Sequence, residues 1–187
     1  MILPIYLYGQ PVLRKEAEEV APDYPDLKKL VADMYETMHE SDGCGLAAPP
    51  VGLSIRLVVI DADVLKDTYP ELEGVRLTLV NPELDVLEDG QKVTRSEGCL
   101  SLPGLGEPVS RYEKVRLNWL DEDFVEHEEV FEGFLARIIQ HECDHLEGML
   151  YIDHLSPIRK QLIKTKLNNI VRGKVRCDYR VKENKKH

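Results

Sequence analysis

The chain has 187 residues, of which 43% are hydrophobic and 31% are charged, and its formal net charge is -10. This length fits one domain with an adequate core, and the composition excludes collagen, coiled-coil and disordered chains. There is no run of 18 apolar residues, and the start MILPIYLYGQ lacks a basic segment, so neither a membrane span nor a secretory signal is expected. The expected compartment is therefore the cytoplasm.

Charge is distributed unevenly along the chain. Residues 156–187 contain 11 Lys or Arg and two acidic residues, whereas residues 1–155 contain 13 basic and 32 acidic residues. An acidic body with a basic end can approach a polyanion such as RNA through that end, because the field near a surface follows the local charge. The plainer interpretation of this segment alone is a solvated basic helix with a frayed end.

One helix and then a β-rich region are predicted in the first two thirds of the chain. Leucine, valine and methionine residues recur at helical spacing from residue 26 to about residue 39, and Ser41-Asp42-Gly43 supplies a stop. From residue 55 to residue 120 the pattern changes to short β-branched runs, which turns interrupt, one of them at Asn81-Pro82. These local turns predict mostly antiparallel sheet, since parallel neighbours need crossover helices.

Two further helices are predicted in the last third. The sequence FLARIIQHECDHLEG after Gly133 returns to helical periodicity, and Gly148 fits its stop. A last helix is expected to begin with Ser156 as N-cap and Pro157 at its first position, and to end near Gly173. Helices at both ends of a region of short strands predict an α+β protein.

The segment His141-Glu142-Cys143-Asp144-His145 has the spacing of a metal site. Two histidines four residues apart on a helix can both reach one metal ion, and the intervening glutamate can reach a water on that ion. Two core histidines without a metal are the less favoured interpretation, because each buried polar group left unsatisfied costs about 1–3 kcal/mol.

A catalytic metal site also needs a third protein ligand and an open position for water. Cys99 is the candidate, because it lies in Ser96-Glu97-Gly98-Cys99-Leu100-Ser101 between two β-rich stretches, where glycine permits a close backbone approach. A lone cysteine is more often a buried apolar residue. Cys143 is a competing thiol, but it lies on a different side of the helix from the two histidines. Cys44 and Cys177 carry only weak local signals.

Three segments together resemble bacterial peptide deformylases. They are GCGLAAP (residues 43–49), EGCLS (residues 97–101) and HECDH (residues 141–145), which match the family's three motifs in order and at similar spacing. The resemblance implies an α+β fold in which short, mostly antiparallel sheets pack around the helix carrying HECDH, with N-terminal and C-terminal helices. It implies a single catalytic domain over residues 1–173 and leaves residues 174–187 as a basic C-terminal tail.

The same resemblance implies a metal-dependent hydrolase that removes the formyl group from the N-terminal formyl-methionine of new polypeptides and releases formate. Cys99, His141 and His145 would hold one divalent ion, with Fe(II) as the family's usual metal and Zn, Ni or Co as substitutes. Glu142 would be the general base and then the general acid, and the backbone N–H of Leu100 would bind the oxyanion.

An N-formylmethionyl nascent peptide would lie extended in the site and add a strand through main-chain hydrogen bonds. The substrate-binding residues that the resemblance implies are Gly43, Cys44, Gly45, Gly98 and Ile138. Core packing is an equally good interpretation of Ile138. Turn formation after the helix is an equally plain interpretation of Gly43 and Gly45. Ribosome contact is expected through the basic residues 156–187, and neither a membrane nor DNA is expected as a partner.

One position departs from the family pattern. The first motif normally ends in a glutamine, whose amide would donate a hydrogen bond to the oxyanion, but the corresponding residue is Pro50, which can donate nothing. Losing one oxyanion donor typically costs about 100- to 1000-fold in turnover, so reduced activity is expected. Pro50 favours an alternative, a catalytically weak metal-binding relative that acts as a ribosome-associated binding module. Cys99, Glu142 and the paired histidines argue against it.

A metalloprotease of the H-E-x-x-H type is a second alternative. Its third ligand is usually a downstream histidine or glutamate, and His154 or Glu147 would have to serve. Replacing Cys99 would distinguish the two enzymes, since a protease of this kind would keep its metal.

Overall fold

A computed structural model describes residues 1–182, which form nine strands, four α-helices and five short 3-10 helices. The strands are β1 (Ile5–Tyr6), β2 (Gly45–Ala47), β3 (Leu57–Asp61), β4 (Arg76–Val86), β5 (Lys92–Cys99), β6 (Leu102–Tyr112), β7 (Lys114–Leu120), β8 (Glu126–Glu132) and β9 (Val181–Lys182). The helices are α1 (Leu27–Glu40), α2 (Gly133–Leu146), α3 (Pro157–Leu162) and α4 (Lys164–Val171). None of these helices is long and apolar enough to cross a membrane.

Antiparallel pairing dominates the sheets. One sheet has five strands in the order β2-β3-β4-β7-β8, and all of its neighbours are antiparallel. β5 and β6 form a separate antiparallel hairpin, whereas β1 and β9 form a short parallel pair. The predicted α+β class with mostly antiparallel sheets is confirmed.

Helix α2 packs one face against the five-stranded sheet. Ala136, Ile139 and Leu146 on this face have no exposed surface and belong to a core cluster that includes β3 and β7 residues. Burial of a large apolar side chain contributes about 1.5–3 kcal/mol, so these contacts fix the rotation of the helix about its axis. His141 lies on the opposite face of α2, whereas Glu142 lies beside Ile139 and Leu146 and contacts Gly45 of the edge strand β2.

Two sequence predictions about local structure are wrong. Asn81-Pro82 is not a turn between strands but a bulge inside β4, where the register with β7 shifts between Val80 and Glu83. The Asn81 side chain pins this bulge by bonding both the N–H of Val20, at 2.7 Å, and its carbonyl, at 2.9 Å. The bulge removes the proline from the ladder and lets the strand continue.

The second error concerns the last helix, which is broken at Ile163 into α3 and α4. Its start is as predicted, because the Ser156 side chain accepts a hydrogen bond from the Arg159 N–H at 3.3 Å. Ile163 is 3% exposed whereas the adjacent Leu162 is 68% exposed. Packing of Ile163 into the core therefore decides the bend, which helix propensity alone does not require.

The described part of the predicted basic tail, residues 174–182, lies against the body of the protein. β9 pairs with β1, the Ile5 N–H donates to the Arg180 carbonyl at 2.9 Å, and the Arg180 guanidinium donates to the Ile2 carbonyl at 3.1 Å. Residues 183–187 lie outside the described part of the chain. The domain boundary at residue 173 stays a prediction.

Candidate metal centre and active site

Cys99, His141 and His145 bring three metal-binding atoms together. Their ligand atoms all lie within 4.8 Å of one another, and Sγ of Cys99 lies 3.5 Å from Nε2 of His145. Cys99 ends β5, where the register with β6 shifts immediately after Gly98, and the two histidines lie one turn apart on α2. The register shift at the end of β5 and the one-turn spacing on α2 therefore bring the three ligand atoms together.

The ionisation of Cys99 suits metal binding. Burial raises the pKa of its thiol, but His145 and His141 outweigh burial and bring the pKa down to about 5. A thiolate is the form of cysteine that binds metals. One thiolate and two imidazoles fit a divalent transition metal with an open coordination position, so these residues could hold such an ion.

Glu97 supports His141 from the side away from Cys99. Its carboxylate accepts hydrogen bonds from Nδ1 of His141 at 2.8 Å, from Arg111 at 2.7 and 3.0 Å, and from Arg137 at 2.6 Å. Burial raises the pKa of Glu97, but His141 and Arg111 outweigh burial and hold the pKa at about 2. The ionised carboxylate therefore occupies Nδ1 and leaves Nε2 of His141 for a metal, as is usual for metal-ligating histidines.

The network continues from Arg111 to the last turn of α2. Arg111 donates to Oδ2 of Asp144 at 3.0 Å, and Nε2 of His154 lies 2.8 Å from the same oxygen. Arg56 donates to Oε1 of Glu147 at 2.7 Å. His154 and Glu147, the two candidates for the third ligand of a metalloprotease, therefore contact other residues. Within residues 1–182, neither joins the metal-binding group. The described residues therefore do not supply the third ligand that the metalloprotease alternative requires.

The Glu142 side chain lies against Gly45 of β2. Burial raises the pKa of its carboxyl group, while His141 and His145 lower it, and the net shift is upward. A Cβ atom at Gly45 would lie 2.9 Å from Oε1 of Glu142, so only glycine leaves room for this carboxylate. Neither Gly43 nor Gly45 is among the glycines with positive φ. Close approach therefore explains Gly45, whereas a Cβ atom at Gly43 would make only ordinary contacts of 3.4–3.5 Å.

A cavity of about 520 Å³ opens beside the three donor atoms. Every substrate-binding residue predicted from the sequence lines it: Gly43, Cys44, Gly45, Gly98 and Ile138. Glu142, Leu100 and Pro50 line it as well. Ile138 is 6% exposed and also belongs to the core cluster, so it takes part in both the core and the cavity wall. Cys143 is buried in that cluster, as the helical pattern predicts.

A second wall of the cavity is missing from the sequence predictions. It comes from Arg176, Cys177, Asp178 and Tyr179. The Tyr179 hydroxyl donates a hydrogen bond to the Leu100 carbonyl at 2.6 Å. These residues carry no motif, and their distance along the chain from the three motifs left no local signal of this contact.

Comparison with known proteins leads to the same assignment. A family model described as polypeptide deformylase matches residues 2–161. A peptide deformylase from Flavobacterium johnsoniae is 48% identical over 189 residues, which cover 97% of this chain and 96% of that protein. The chain belongs to the polypeptide deformylase family. The family resemblance and the enzyme class predicted from the three motifs are confirmed, and the binding-module alternative is not favoured.

Solved structures of this family share the fold. The crystal structure of peptide deformylase from Thermus thermophilus matches with a TM-score of 0.80 and 40% identity, over 91% of this chain and 98% of that one. A peptide deformylase from Legionella pneumophila matches with a TM-score of 0.79 and 37% identity, over 94% of this chain and 99% of that one. The predicted deformylase-like fold is therefore confirmed.

Replacing Glu97 by glutamine should weaken metal binding by about 10- to 100-fold, because the neutral amide holds the His141 ring less firmly than a carboxylate does. The affinity is measured by competition between the folded protein and a chromophoric chelator for Co(II) or Zn(II).

Glu107→Gln is the matched control for this measurement. Glu107 lies opposite Glu97 in the β5–β6 pairing and is also 8% exposed, but its carboxylate contacts Arg159, 3.4 Å away, instead of a histidine of the site. Equal metal affinities in the two variants would contradict the role given to Glu97.

Proposed function

We propose that this chain removes the formyl group from the N-terminal formyl-methionine of newly made polypeptides and releases formate. The observation that carries the proposal is the meeting of all three motifs of the deformylase family around one cavity, with Cys99, His141 and His145 close enough to share an ion. A divalent ion held by these residues would act as a Lewis acid and lower the pKa of water from ~16 toward ~7.

Glu142 is the residue we assign to proton transfer. It lines the cavity next to the donor atoms, and its raised pKa brings it closer to the neutral range, where a group can both accept and return a proton. Its carboxylate would take a proton from the attacking water and later give it to the departing amine. The C–N bond then breaks, and formate and the free N-terminus separate.

Negative charge develops on the formyl oxygen during the attack, and the backbone N–H of Leu100 is our candidate donor to it. Pro50 lies in the wall of the same cavity but offers no donor from its side chain or its backbone. We therefore expect turnover to be limited by stabilisation of the oxyanion rather than by generation of the nucleophile.

The sheet edges support an extended binding mode for the peptide. β2 is an edge strand of the five-stranded sheet, and Gly45 at its start lines the cavity together with Gly98 of β5. Unpaired backbone groups on such edges can bind a peptide as an added strand with little dependence on its sequence. The methionine side chain would then contact apolar residues of the wall, including Ile138.

Fe(II) is the metal we propose, with Zn, Ni or Co able to replace it, because this donor set accepts all four ions. A thiolate on Fe(II) is open to oxidation, so the iron form should lose activity in air faster than a Ni(II) form.

Formate release from a formyl-Met tripeptide is the direct test, with protein loaded anaerobically with Fe(II) or Ni(II). Glu142→Gln should bind metal normally and abolish turnover, because the amide cannot accept the proton. Metal content measured on both proteins separates loss of chemistry from loss of the ion. Equal formate release by the two proteins would refute the proposal.

Pro50→Gln should raise kcat at least about tenfold, since it restores a side-chain donor where charge develops. Pro50→Leu is the matched control, because it also removes the proline ring but supplies no side-chain donor. A similar gain in both variants would assign the effect to the backbone instead of the amide.

The basic residues 156–187 remain our proposal for ribosome contact. Within the described residues, several exposed cations of this segment lie on or beside α3 and α4: Arg159, Lys160, Lys164, Lys166, Arg172 and Lys174. Replacing Lys164 and Lys166 by glutamate should reduce co-sedimentation with ribosomes, and more at low salt than at high salt, because contacts with phosphates are screened. Unchanged co-sedimentation would exclude this face. Location in the cytoplasm stays a prediction.

A further inference from the structure

Residues 174–182, here called the C-terminal segment, lie beyond the part of the chain that the family model matches. The segment alternates like a strand: Val175, Tyr179 and Val181 pack against the core, whereas Arg176, Asp178 and Arg180 are exposed. Its end is fixed by the pairing of β9 with β1. It is therefore held in place along the cavity wall.

The C-terminal segment contacts the turn that joins β5 to β6. The Tyr179 hydroxyl donates to the Leu100 carbonyl at 2.6 Å. Ser101, the next residue of the turn, contacts the N-terminal part of the chain: its carbonyl accepts a hydrogen bond from the Tyr8 N–H at 2.8 Å. The β1–β9 pair joins the two segments that make these contacts. Two consecutive carbonyls of one turn are thus restrained by the two ends of the chain.

This turn carries two groups of the active site side by side. Cys99 is a metal-ligand candidate, and the N–H of Leu100 is the candidate oxyanion donor, so a rotation of the turn would displace both. A hydrogen bond to the Leu100 carbonyl limits that rotation. Pro50 supplies no hydrogen-bond donor, so the Leu100 N–H is the protein's candidate contact to the oxyanion. The position of this N–H therefore matters more than it would in a site with a second donor.

We propose that Tyr179 is a positioning residue of the active site, which holds the turn after Cys99 so that the Leu100 N–H is directed at the reacting carbonyl. The inference rests on the proposed function for its catalytic consequence. Tyr179 acts through Leu100, because its hydroxyl is bonded to the Leu100 carbonyl. Displacing a catalytic group by up to about an ångström lowers the reaction rate more than it weakens substrate binding. Loss of the Tyr179 hydroxyl should therefore lower kcat rather than raise KM.

Tyr179→Phe tests this, because it removes the hydroxyl and keeps the ring that packs on the core. In the metal-loaded enzyme, kcat should fall about tenfold while KM changes less than about twofold. Hydrogen exchange of the amides in residues 99–102 should become faster. Tyr24→Phe is the control, since Tyr24 is also a half-buried tyrosine on the same core cluster but does not line the cavity. It should change neither kcat nor exchange.

A second comparison uses Pro50→Gln as the background. If Tyr179 works through the oxyanion contact, a restored glutamine donor shares the charge, and Tyr179→Phe should then lower kcat less than about threefold. An equal loss in both backgrounds, or exchange in residues 99–102 that matches the wild type, would overturn the proposal. If wild type and Glu142→Gln release equal formate, the proposed function fails instead, and the exchange measurement still decides whether Tyr179 holds the turn.

Discussion

Glu97 carries a negative charge into the interior between the β5–β6 hairpin and α2, where water cannot solvate it. A carboxylate in such a place is costly unless hydrogen bonds and opposite charge compensate, and Arg111, Arg137 and His141 supply both. The two arginines are themselves buried; Arg111 also pairs with Asp144, but Glu97 is the carboxylate that Arg137 pairs with. This mutual requirement joins β5, β6 and α2 at the place where the metal-binding atoms converge, so the geometry of the site is part of the stability of the fold.

Close approach of backbone to side chain defines the rest of the cavity. α2 can bring Glu142 against β2 because Gly45 has no side chain, and the edges of β2 and β5 then face each other across the opening. Pro50 completes the turn after this strand, where it is buried and contributes rigidity rather than a donor. In the proposed mechanism, stabilisation of the charge therefore depends on the backbone of the β5–β6 turn, which hydrogen bonds from Tyr8 and Tyr179 restrain.

Local patterns predicted what depends on neighbours in sequence. The four-residue spacing of His141 and His145 places both on one face of α2 wherever that helix packs, and Cys143 is directed elsewhere by the same geometry. Predictions failed where a distant contact outweighed the local signal. Asn81-Pro82 is typical of a turn, but bonds to Val20 hold it as a bulge; the last helix has a continuous pattern, but burial of Ile163 bends it.

By itself the sequence indicated the family, the candidate metal-binding residues, the candidate for proton transfer and the candidate substrate-binding glycines, because all of them belong to short motifs that depend on residue type and spacing. Only the tertiary structure decided which groups support them. Glu97 lies 44 residues from His141 and Tyr179 lies 79 residues from Leu100, and neither pair shares a periodicity. Such contacts arise when separate elements pack, since their free energy depends on burial and on the alignment of partners that no local pattern encodes.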